Sequence, residues 1–145
     1  MTRPFGDSTT IPSAFADLSG IAGIPTQLGL VTQLTQAANI NATTIATPTT
    51  GGLFRISAQI VRSQIATTSS TLPSVTITWT DATNSAAGSN TIIATNATNT
   101  LVASPTVELL LVAKANTAIS YSTTGYASSG ATPMQYALRI KLEAL

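Results

Sequence analysis

The groups able to do chemistry in this chain are few. Hydroxyls dominate, with 27 Thr and 15 Ser among 145 residues, while histidine and cysteine are both absent. A hydroxyl is a weak nucleophile until a neighbouring base takes its proton, and imidazole, the commonest such base, is missing. Lys114 and Lys141 are the amines that remain, and neither stands in a Ser-x-x-Lys arrangement. Carboxylates number five: Asp7, Asp17, Asp81, Glu108 and Glu143. A glycosidase-type pair needs two of them to converge across a cleft. Asp81 follows the Trp79 segment in a turn, and Glu108 and Glu143 fall on outward positions of predicted strands, so these acids read as solvated surface groups. Lack of cysteine removes thiolate nucleophiles, disulfides and cysteine metal sites, and the glycine patterns that cradle phosphates are absent. The expectation is a protein that is not an enzyme, with no catalytic residue, no cofactor and no metal.

Aromatic side chains are the other candidate contact groups, because their faces suit sugar rings and apolar surfaces. Trp79 shares parity with Val75 and Ile77, and Tyr136 shares it with Leu138 and Ile140. That places both in a core. Tyr126 differs, since it lies in the turn Gly125-Tyr126-Ala127. It is a candidate contact residue, or else a plug folded over the end of the core.

The elements that would position these groups are strands. The closing QYALRIKLEAL puts Tyr136, Leu138, Ile140 and Leu142 on one parity and Gln135, Arg139, Lys141 and Glu143 on the other, the period of a half-buried strand. In LFRISAQI, Phe54, Ile56, Ala58 and Ile60 alternate with Arg55, Ser57 and Gln59. SVTITWT sets Val75, Ile77 and Trp79 against Thr76, Thr78 and Thr80, a β-branched and aromatic mix suited to a pleated surface. TVELLLVAKA turns Val107, Leu109, Leu111 and Ala113 inward, and Leu110 and Val112 make it apolar on both faces. AISYSTT, NINATTIAT and weaker segments at 91–95 and 101–102 bring the total to seven or eight strands. Ser, Thr, Asn, Gly and Pro separate them. The predicted fold is all-β, an antiparallel β-sandwich with Greek-key or jelly-roll topology.

Residues 1–50 read differently. Prolines at 4, 12, 25 and 48 interrupt any apolar period, so this part is expected to be an irregular N-terminal arm ahead of a sandwich over 51–145. Within it, Leu28, Val31 and Leu34 are spaced by three and admit a short helix, although Gly29, Val31, Thr32 and Thr35 weaken one. The apolar residues Phe5, Phe15, Leu18, Ile21 and Ile24 have no pattern that buries them against near neighbours. They must cover the sandwich of their own chain or lie on a partner, and with Tyr126 they are the candidate interface residues.

Only 8% of residues are charged, with a net charge of +1 and no basic run, so nucleic acid is not an expected partner. The opening MTRPFGDSTTIPSAF lacks the apolar stretch of a secretory signal, and no run of apolar residues is long enough for a membrane helix. No membrane association is expected. A surface of short hydroxyl side chains loses little rotamer entropy on close contact with identical copies, which favours a homo-oligomer.

The segments GLFRISAQIV, LPSVTITWTDA and YSTTGYASSGATPMQYALRIKLEAL together resemble small structural proteins of tailed-bacteriophage virions, of the capsid decoration (cement) or head-fibre type. The resemblance covers about residues 51–145. It implies a non-enzymatic β-sandwich on the outer capsid surface, with a trimer favoured, that binds the major capsid protein or another virion protein and stabilises the assembled shell. The alternative it implies is a fibre, tail or baseplate component that binds a host-surface receptor or glycan.

Overall fold

The computed structural model describes residues 24–145. Within them the chain forms ten strands: β1 (Thr26–Gln36), β2 (Thr43–Ala46), β3 (Gly52–Gln64), β4 (Ser69–Thr71), β5 (Ser74–Thr80), β6 (Ala87–Ile93), β7 (Val107–Ala113), β8 (Ile119–Thr124), β9 (Ala127–Ser129) and β10 (Gln135–Ala144). Two four-stranded sheets, ordered β1-β10-β3-β7 and β2-β8-β5-β6, are joined by a small ribbon of β4 and β9. Every strand pair is antiparallel. The fold is an all-β antiparallel sandwich, as the alternation predicts.

The core is made by one parity of each long strand. Phe54, Ile56, Ala58 and Ile60 from β3 and Tyr136, Leu138, Ile140 and Leu142 from β10 meet Val75 and Ile77 of β5 and Ile119 and Tyr121 of β8, all almost wholly buried. Burying each large apolar side chain contributes about 1.5–3 kcal/mol, so these twelve positions dominate the stability. Two polar groups inside are satisfied. Thr123 Oγ1 accepts from Ile40 N–H at 2.7 Å, and the Tyr136 hydroxyl donates to Ala38 O at 2.8 Å, which pins the 38–40 segment to the sandwich.

The N-terminal expectation needs correction. Residues 26–36 are neither arm nor helix: they form β1, an edge strand paired with β10 from Thr26↔Ala144 to Gln36↔Tyr136. The sandwich therefore begins near residue 26 and not at 51. Val31, Thr32 and Thr35 favour a pleated backbone, and β1 also closes one side of the sandwich against β2. A Cβ on Gly29 would stand 2.7 Å from Ile45 Cγ2 and 3.0 Å from Ile45 O, so the two sheets approach there as closely as backbone allows. Phe5, Phe15, Leu18 and Ile21 lie outside the described residues, and Ile24 is exposed ahead of β1.

Candidate docking face

The described carboxylates do not converge. Asp81 follows β5, where its Oδ1 accepts from Thr83 N–H at 2.8 Å and shapes the turn to β6. Glu108 lies exposed on β7, within 3.3 Å of Ser57 Oγ. Glu143 is bound at 2.8 Å by both Arg55 Nη2 and Lys141 Nζ. Hydrogen bonds from Lys141 and then Arg55 hold its carboxyl below the ordinary glutamate range. Among the described residues no group of three potential ligands could hold a metal ion.

What the geometry does bring together are two unlike outer faces. On the β2-β8-β5-β6 sheet the outward side chains are almost all hydroxyls. Thr44, Ser120, Thr78 and Ser89 form one row across four strands, and Ser122, Thr76 and Thr91 the next. Thr76 and Thr91 hydroxyls are 2.9 Å apart. No charged residue lies on this face among the described strands.

The outer face of the β1-β10-β3-β7 sheet carries leucines and most of the surface charge of the described residues. Leu53 pairs with Val112, and Leu145 is tied beside them by its N–H to Leu53 O at 3.1 Å. The next row holds Glu143, Arg55 and Leu110, and the one after it Leu30, Lys141, Ser57 and Glu108. Leu30 and Leu110 are 63% and 60% exposed. Between the two leucine margins, Leu30, Ser57, Gln59, Arg139 and Lys141 line a shallow depression of about 160 Å³. Arg139 has no ion-pair partner among the described residues.

Tyr126 is not a free contact group. It is half-buried, its hydroxyl donates to Met134 O at 2.7 Å, and its ring centroid lies 6.1 Å from that of Tyr136. It plugs the end of the core. Trp79 is half-buried against the core as its parity predicts, with Gly88 directly across the strand pair and its indole N–H buried without a partner among the described residues.

Sequence reasoning missed Arg62. It continues the inward parity of Ile56, Ala58 and Ile60, and it is 1% exposed. Nη1 donates to Thr100 O at 2.6 Å, Nη2 to Asn96 O at 2.9 Å, and Nε contacts Met134 Sδ at 3.2 Å. Among the described residues no carboxylate neutralises it, and desolvation pushes its pKa down. Counting two residues on from Ile60 would have found the position.

By fold and surface this is an antiparallel β-sandwich protein with a leucine-and-charge face opposite a hydroxyl face. No family model matches the chain, and neither does any curated protein or solved structure.

Proposed function

We propose that the chain is a non-enzymatic structural protein of a phage virion, a decoration protein that docks through the outer face of the β1-β10-β3-β7 sheet and presents its hydroxyl face to solvent. The observation that carries this reading is the contrast between the two faces. Exposed Leu30, Leu53, Leu110, Val112 and Leu145 surround ion-paired Arg55, Glu143 and Lys141 on one side, and uncharged hydroxyl rows cover the other. A protein fixed on a larger surface needs one sticky side and one inert side. The resemblance of residues 51–145 to phage virion proteins supplies the setting, with the major capsid protein as partner and the outer capsid surface as location.

The mechanism is linkage. A protein that binds the assembled shell and not its free subunits shifts the equilibrium toward the shell by mass action, and a trimer spreading contacts over several capsid subunits gains avidity from individually weak contacts. The test is addition of purified protein to undecorated shells. Saturable uptake at symmetric positions with a gain in heat resistance supports the reading. Binding to host cells and not to shells would replace it with a fibre or tail role, and binding to neither would overturn both.

A further inference from the structure

The sandwich closes tightly where Gly29 meets Ile45 but not along the β6/β7 side, where the 94–106 segment crosses the mouth and leaves a cleft of about 320 Å³. Ile60, Leu72, Ile92, Ile93, Val102 and Val107 give it apolar walls, and Ile60 and Leu72 at its floor belong to the core itself. The cleft is preformed. The Arg62 guanidinium holds the Asn96 and Thr100 carbonyls, and Asn99 ties the same segment to Ala66 through bonds of 3.1 and 2.9 Å.

Two features specify the occupant's polar end. Arg62 is a buried cation with no carboxylate partner among the described residues, one same-face step along β3 from cleft-lining Ile60, or about 7 Å. No acidic residue lines the cleft. At its rim Ser104 Oγ accepts from Ile60 N–H at 3.0 Å, and its own O–H has no acceptor among the described residues. A buried unneutralised cation favours an anion nearby, and a free hydroxyl offers that anion a donor. The volume sets the apolar part: since a cavity of about 150 Å³ takes benzene, this one admits roughly ten to twelve carbons.

We propose that the cleft is a binding site for a medium-chain monocarboxylate, its tail against Ile60, Ile92, Ile93 and Val107 and its carboxylate at Ser104, within the long-range field of the buried Arg62 charge. This site is separate from the docking face.

The full-length protein would be titrated with decanoate, decan-1-ol and decyltrimethylammonium, each below micelle formation, while methyl resonances are followed by NMR. Saturable shifts of the Ile60, Ile92, Ile93 and Val107 methyls are expected, with decanoate binding at least ten-fold more tightly than decan-1-ol and the cation not binding. Ala103→Trp, at an exposed position on the cleft wall, should abolish binding with the thermal midpoint unchanged. Arg62→Met should erase the preference for decanoate. Should that variant fail to fold, Ser104→Ala should weaken decanoate several-fold while leaving decan-1-ol unaffected. Equal binding by the cation, no saturable shift at these methyls, or shifts confined to exposed Leu30, Leu53 and Leu110 would each overturn the proposal.

Discussion

Replacing Arg62 by lysine keeps a cation in the core but removes the fork that holds it. The guanidinium reaches two carbonyls and a sulfur at once; an ammonium on a shorter stem reaches one of them at best. Each hydrogen bond from a charged donor is worth about 1.5–3 kcal/mol. The loss is partly relieved at Asn96 O, which still accepts from Leu72 N–H at 2.7 Å, and not at Thr100 O. Desolvation opposes the variant further, because an ammonium is more strongly hydrated than a guanidinium. Together these place Arg62→Lys about 2–4 kcal/mol below wild type at neutral pH, or roughly 4–16 °C in thermal midpoint for a domain of this size. Arg62→Met strands the same carbonyl but removes the buried charge, whose desolvation costs several kcal/mol, so methionine should be tolerated better than lysine. A pH series separates charge from shape. Burial lowers the folded-state pKa of the introduced amine below its unfolded value of about 10.4. Between those two values the unfolded chain binds more protons, so the stability of Arg62→Lys rises with pH, by at most about 1.4 kcal/mol per unit. Wild type, charged throughout, has no such slope at this site. Urea unfolding of the three proteins from pH 6 to 10 is the assay. Equal stability of Arg62→Lys and wild type, or a pH-independent gap between them, would refute the claim that the bonded fork stabilises this cation.

Three further outcomes are expected. Glu143 has its carboxyl pKa lowered by Lys141 and Arg55, so its contribution is present above the unfolded value near 4.3 and is lost as pH falls through the lower folded value. Urea midpoints at pH 7 and pH 3 should show Glu143→Gln losing less on acidification than wild type does. A side chain at Gly88 would meet the rigid Trp79 ring, with the added Cβ 2.7 Å from Cζ2 and 2.8 Å from Nε1. Gly88→Val should therefore cost about 1–3 kcal/mol, with a shifted emission maximum from the single tryptophan. Leu53→Thr with Leu110→Thr, at exposed positions of the docking face, should leave stability within about 0.5 kcal/mol while uptake onto shells falls; unchanged uptake would clear this face of the role.

The alternation along β3, β5, β7, β8 and β10 made most of the sandwich legible in the sequence, because one buried face forces a period of two. β1 escaped for a specific reason. Register shifts between Gln27 and Gly29 and between Gln33 and Gln36 break its parity, so Leu28, Val31 and Leu34 mimic a helical spacing although the backbone is extended. Arg62 escaped because charge normally argues for the surface. Its acceptors come from residues 96 and 100, on a segment brought alongside only by the fold. Tyr126 lies between β8 and β9, but the Met134 carbonyl that captures its hydroxyl is eight residues further along the chain, and no local pattern marks such a bond.

The proposed docking face was half legible. Leu110 and Val112 stood out as apolar residues on the wrong parity of β7, yet their meaning depends on neighbours contributed by β3 and β10. Leu53 and Leu145 extend them into one apolar margin, and Leu30 of β1 supplies the opposite margin. All five point away from the core cluster formed by the other parity. The leucine face and the core therefore draw on alternate residues of the same strands. A substitution on the leucine face can change that surface with little change to the core, whereas a substitution at an inward position must disturb both, because the outward row is held in place by the strand it shares.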